Sequence, residues 1–105
     1  MNKVTFVGNS IVVNGTHVGN LSCGGGEVWV DLFNSKGECK FAGRFKRFSP
    51  KTQAKRYIKW CLERFSAEEV IAGCESDSPY GWAQSKGFDP LTKKQRADVE
   101  KWAAM

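Results

Sequence analysis

At 105 residues, 41% hydrophobic and 26% charged, the chain is sized for one domain with a modest core, and its composition excludes a disordered chain. No apolar run approaches the ~20 residues of a membrane span, and the opening MNKVTFVGNSIVV is too broken for a signal peptide, so a cytoplasmic protein with no membrane partner is expected. The net charge of +5 is gathered in residues 36–64, which carry ten basic residues against Glu38 and Glu63, so the rest of the chain is net acidic. A concentrated basic patch points to a polyanionic partner.

The first 48 residues read as antiparallel β-structure. Val4 to Val7, Ile11 to Val13 and Thr16 to Leu21 are short β-prone runs. Asn14-Gly15 between two of them is a hairpin signal, because a type I′ turn needs positive φ at both central residues. Cys23-Gly24-Gly25-Gly26 reads as a flexible break. Two longer strands follow. In the first, Val28, Val30 and Leu32 alternate with Glu27, Trp29, Asp31 and Phe33. In the second, Cys39, Phe41, Gly43 and Phe45 alternate with Lys40, Ala42, Arg44 and Lys46. Such alternation predicts a sheet with one buried and one open face.

Residues 49–73 read as helical. Ser49 is placed to cap the first helix, with Pro50 at its first position. Ala54, Tyr57, Ile58, Cys61, Leu62 and Phe65 form its apolar stripe, and Lys51, Lys55 and Lys59 recur every four residues on another side with Arg56 beside them. Ser66 to Glu69 is a capping box for a short second helix that Gly73 ends. Residues 74–89 read as an irregular acidic and aromatic loop. A C-terminal helix over 90–105 has a second possible box at Thr92 and Gln95, and Leu91, Val99, Trp102 and Ala103 suggest an apolar side. Strands first and helices after predict a single α+β domain over 1–105, the helices packed on an antiparallel sheet.

Catalysis finds little footing. His17 is the only histidine, and no partner for it can be named, so neither a triad nor a Cys-His pair can be built. Cys23, Cys39, Cys61 and Cys74 contain no close pair of zinc-ligand spacing and read as reduced thiols, mostly packed as small hydrophobes. Glu68 and Glu69 suit a helix N-terminus better than a metal. Gly24-Gly25-Gly26 lacks the Lys-Ser/Thr and helix of a phosphate loop. No catalytic residue, metal or cofactor is expected.

The candidate binding residues are Trp29, Phe33, Lys40, Arg44, Lys46, Arg47, Lys51, Lys55, Arg56 and Lys59, with Tyr80 and Trp82 as a secondary contact. If the main helix covers the Val28/Val30/Leu32 face, the open face would show Trp29 and Phe33 beside Lys40 and Arg44. Cations neutralise phosphates and release counterions, while aromatic faces stack on bases. The opposing reading has Trp29 and Phe33 covered by the C-terminal helix or the 80–88 loop, with the cations flanking that contact through their aliphatic stems. The lysine row is likewise what any surface helix shows. Its single sign costs a few tenths of a kcal/mol per like-charged pair, which favours a use for it.

The stretch VGNLSCGGGEVWVDLFNSKGECKFAGRFKRFSPKTQAKRYIKW resembles the plant AP2-type DNA-binding domain and the arm-binding domain of phage integrases. Trp29 on the middle strand, the Gly37 turn, Gly43-Arg44-Phe45, and Ala54 and Tyr57 in the helix carry the likeness over residues 18–60. It implies a three-stranded sheet in a DNA major groove with Trp29, Lys40 and Arg44 as contacts. The first strand of those families is arginine-rich, whereas Val18 to Cys23 has no charged residue. The first expectation is thus a non-enzymatic protein that binds nucleic acid or a nucleic-acid-handling complex. The second comes from a different class. In size and lack of catalytic motif the chain is similar to phage-encoded counter-defence inhibitors of the anti-CRISPR kind, which act on a protein or nuclease complex in the host cytoplasm. The sequence leaves the oligomeric state open.

Overall fold

The computed structural model describes residues 1–46, 49–76 and 79–104. Five strands form one antiparallel meander in the order β1 (Val4–Val7), β2 (Ser10–Val13), β3 (Thr16–Gly24), β4 (Glu27–Phe33) and β5 (Cys39–Phe45). Among the described residues four helices follow: α1 (Pro50–Arg64), α2 (Ala67–Ser76), α3 (Pro79–Ser85) and α4 (Lys93–Ala103). This is the expected α+β class. Among the described residues, no helix is long and apolar enough to cross a membrane.

Local chemistry sets the strand connections. Asn14 (φ 51°) and Gly15 (φ 84°) make the β2–β3 turn in the left-handed conformations such a turn requires. The stretch expected as a flexible break is a second tight turn, with Gly25 at φ 58° and Gly26 at φ 75°. Asn34 organises the β4–β5 loop, its side-chain oxygen accepting from the Lys36 and Glu38 amides at 3.0 and 2.9 Å.

The core lies between one sheet face and the helices. Ile11, Leu21, Val28, Val30, Leu32 and Phe45 meet Ala54, Tyr57, Ile58, Cys61 and Leu62 of α1 and Val70 and Ile71 of α2. Tyr57 is its hub, with ring contacts to Phe45, Tyr80 and Phe88 at 5.4, 5.8 and 5.6 Å. Burying one such aromatic side chain contributes about 1.5–3 kcal/mol. Its hydroxyl lies 3.5 Å from the Cys74 thiol, which donates to the Ala42 carbonyl at 3.4 Å.

The alternation of β5 differs from the sequence expectation. Val30 pairs with Gly43, but Asp31 pairs with Phe41, so Ala42 is the extra residue of a β-bulge. Ala42 is buried, while Phe41 turns outward beside Asp31 and is 53% exposed. Lys40 pairs with core residue Leu32 and is thereby placed on the helix side. A single inserted residue exchanges the two faces of the strand before it.

The helical half differs in three places. Ser49 is left-handed (φ 51°) and makes no side-chain cap. Gly73 does not end α2, which runs three residues further; it is buried within the helix, where the Trp82 ring fills the space a side chain would need. Within the stretch expected as a loop, residues 74–76 end α2 and Pro79–Ser85 form α3, while residues 77 and 78 lie outside the described residues. The Ser66–Glu69 and Thr92–Gln95 capping boxes both form. The apolar side of α4 lies in solvent: no α4 residue is buried, and Trp102 is 80% exposed.

Candidate functional site

The sheet has one face covered by α1 and α2 and one face open. Directly opposed residues of an antiparallel pair share a face. Register therefore places Ser22, Trp29 and Arg44 in one row of the open face, and Asn20, Asp31 and Phe41 in the next. Phe33 lies beyond them and meets the His17 ring edge-on at 5.1 Å. Trp29 and Phe33 are half-buried by their neighbours, and Trp29 leans over Gly24. Neither belongs to the core cluster, whereas Tyr80, Trp82 and Phe88 do or pack against it. The open-face reading of Trp29 and Phe33 is the one the fold supports.

The cations do not gather there. Arg44 is on the open face, but its guanidinium is engaged by Glu27, Nε to Oε2 at 3.0 Å and Nη2 to Oε1 at 2.7 Å. That bidentate pair holds the Glu27 carboxyl below the usual carboxylate range. Asp31 shares the face, and burial raises its pKa. The aromatic face is therefore acidic or neutral, with Lys40 on the other side of the sheet.

Surplus positive charge lies around α1. Lys51 and Lys59 are exposed, and Lys55 crosses the Phe6 ring at 5.4 Å on the β1 side of the helix. Lys46 is exposed at the end of β5. Among the described residues none of these four lysines makes a salt bridge. The arginines behave differently. Arg56 donates to the carbonyls of Asp89, Pro90 and Leu91 and stacks on Phe88 at 5.3 Å, so it ties the α3–α4 connection to α1. Arg64 covers Trp60 at 4.6 Å, and Arg96 pairs with Asp89 at 2.6 Å. Arg47 lies outside the described residues.

A cleft of about 630 Å³ opens where β5, α1, α3 and the start of α4 converge. Arg44 and Lys46, the amides of Gln53, Gln84 and Gln95, and the apolar Phe45, Tyr80, Pro90 and Leu91 line it. Gln95 accepts the Thr92 amide through its oxygen, which leaves its NH₂ to donate. The first turn of α1 beside the cleft carries no acidic side chain, so the positive end of its dipole is not offset there. Sequence reasoning missed the three glutamines. Their spacing carries no signal, because three separate helices supply them.

Tyr80 and Trp82, expected as a secondary contact, are half-buried, and Tyr80 also lines the cleft. Tyr80 packs against Phe45 at 5.5 Å and Phe88 at 6.1 Å, and Trp82 packs against Phe65 at 5.2 Å. Cys23 and Cys39 are exposed rather than packed, while Cys61 is buried and Cys74 half-buried. Among the described residues no three His, Cys, Asp or Glu side chains come together as metal ligands would. No family model, curated protein or solved structure matches this chain.

Proposed function

We propose that this is a non-enzymatic protein that binds nucleic acid, with the phosphate backbone meeting Lys46, Lys51, Lys55 and Lys59 around α1. One observation carries the reading: among the described residues these four lysines make no salt bridge, while the four described arginines are all engaged within the protein. Unpaired ammonium groups are the mobile point charges that neutralise phosphates and release counterions. The cleft beside Lys46 suits a nucleotide unit in size, and side-chain amides such as Gln53, Gln84 and Gln95 hydrogen-bond base edges. The aromatic sheet face has no part in this surface, so base stacking on Trp29 and Phe33 is not part of the reading.

Fluorescence-anisotropy titration with labelled single-stranded DNA, duplex DNA and RNA at 50 and 200 mM salt tests it. Four phosphate contacts give a slope of log K against log salt of about −3 for a single strand. Affinity then falls roughly 50-fold between the two conditions. Lys51→Glu with Lys59→Glu weakens binding and flattens the slope, with the helical circular dichroism unchanged. Absence of binding to all three ligands at 50 mM salt overturns the reading. The chain would then be read as an inhibitor whose basic face occupies an acidic protein surface, an association that survives nuclease treatment.

A further inference from the structure

The cleft beside Lys46 is lined for more than a phosphate. No acidic side chain lines it. Glu27 and Asp89, close to the lining residues Arg44 and Pro90, are engaged by Arg44 and by Arg96. The Glu27–Arg44 pair is neutral, so Lys46, exposed and without a salt bridge among the described residues, supplies the net charge. Arg44 still has donors to give, because Glu27 takes Nε and Nη2 and leaves Nη1. An anionic group is favoured on this side of the cleft.

A phosphate alone would leave the rest of the lining without a role. Gln53 of α1, Gln84 of α3 and Gln95 of α4 each bring a side-chain amide, which can donate and accept together. Those of Gln53 and Gln84 make no hydrogen bond among the described residues, and Gln95 keeps its NH₂ after accepting the Thr92 amide. Leu91 and Tyr80 add apolar surface. The volume of about 630 Å³ falls within the roughly 300–1,000 Å³ of small-molecule sites. An occupant that uses all of this has a negative charge, apolar faces and an edge of donors and acceptors, which is the chemistry of a nucleotide.

We propose that the cleft takes one unpaired nucleotide of a single strand, its base edge on the glutamine amides and its phosphate on Lys46 and Arg44. The inference rests on the nucleic-acid reading above and narrows it to single strands. A base inside a duplex has its faces stacked and its pairing edge occupied, so it can offer neither to the cleft. The walls are set before any ligand arrives. Arg56 ties the carbonyls of residues 89–91 to α1, and Glu27 holds Arg44. A preformed site loses less of its binding energy to ordering.

Fluorescence anisotropy at roughly 50 mM salt compares three probes. They are a short mixed-sequence DNA strand, the same sugar–phosphate chain without bases, and the blunt duplex of that sequence. All three offer phosphates to the lysines, and only the first offers unpaired bases. The strand with bases is expected to bind at least about tenfold tighter than either of the others, in keeping with one well-held base. Gln53→Leu with Gln84→Leu is expected to bring it down to the level of the baseless chain. Gln84 is exposed and Gln53 half-buried, so the pair lies outside the core. Equal affinity for the strand with and without bases overturns this inference alone, as does a duplex bound as tightly or a preference that survives in the double variant. The comparison of probes uses the unaltered chain, so it decides the matter even if the double variant disturbs the fold. No binding to any probe overturns the nucleic-acid reading as well.

Discussion

Arg44 reaches diagonally from β5 to Glu27 at the start of β4, passing the Trp29 it faces in register, and closes two hydrogen bonds of 3.0 and 2.7 Å. The pair fixes one edge of the open face and engages a cation that, at the edge of the sheet, also lines the cleft beside Lys46. Glu27→Gln removes the carboxylate charge and leaves Arg44 to solvent. Nucleic-acid affinity at 50 mM salt then rises, and the magnitude of the salt slope grows by about 0.7 to 0.9, the value of one further phosphate contact. An unchanged slope means that Arg44 lies outside the contact surface. The pair also has a pH signature. The folded-state pKa of Glu27 is depressed, so its stabilising effect is present above the unfolded value and disappears as pH falls through the lowered one.

Arg56 separates a structural cation from a binding one. Its guanidinium donates to three backbone carbonyls at residues 89–91, a fork that an ammonium cannot reproduce. Hydrogen bonds to a charged group are worth roughly 1.5–3 kcal/mol each at most, and a half-buried site delivers a fraction of that. Arg56→Lys keeps the charge and loses the fork. The expected result is a lower urea midpoint, by about 1–2 kcal/mol of stability, with the salt slope for nucleic acid unaltered in the folded protein. A flattened slope at full stability would reassign Arg56 to the binding surface.

Gly73 shows a residue that looks like a helix stop acting as a packing site. A Cβ at Gly73 would lie 2.2 Å from Cε2 of Trp82 and 2.3 Å from Cδ2, far inside contact distance. Replacing Gly by Ala within a helix normally stabilises by up to about 1 kcal/mol. Here the overpacking cost of about 1–3 kcal/mol opposes that gain. Gly73→Ala is expected to destabilise the protein in chemical denaturation and to move the Trp82 emission. A stabilised variant would mean that α3 slides away from α2 at little cost.

The parts that were legible in the sequence are those set by short-range chemistry. Asn14-Gly15 specified its turn, Ser66 and Glu69 their box, and the spacing of Ala54, Tyr57, Ile58, Cys61 and Leu62 the buried stripe of α1. The errors came from long-range geometry. The bulge at Ala42 leaves no local mark, yet it decides that Phe41 faces solvent and Lys40 the helix side. Gly73 reads as a terminator because the Trp82 ring that packs on it, nine residues further along the chain, leaves no local mark. The candidate site was half legible. The lysines were visible as a charge pattern, but their separation from Trp29 and Phe33 follows from which face α1 covers. The expected interface of interleaved aromatics and cations is two surfaces on opposite sides of the sheet.

The four cysteines divide by burial, which gives a readout of folding itself. Cys61 is buried on the core side of α1, and burial pushes its thiol up to about 12; burial also raises Cys74 and Tyr57. Only thiolates react with a disulfide reagent. In native protein at pH 8, Cys23 and Cys39 are expected to react rapidly, while Cys61 and Cys74 wait for local or global opening. Four equally fast thiols would mean that the α1–α2 layer is open in solution. The same shifts set the alkaline limb of stability. The thiols of the unfolded chain ionise near pH 8.5, while Cys61 in the folded chain stays protonated, so stability is lost as pH rises above the unfolded value. The urea midpoint therefore falls between pH 8 and 9.5. Cys61→Ala with Cys74→Ala flattens that fall while lowering stability at pH 7 through the cavity it leaves. A midpoint equally pH-dependent in the double variant would assign the alkaline limb to groups other than these two thiols.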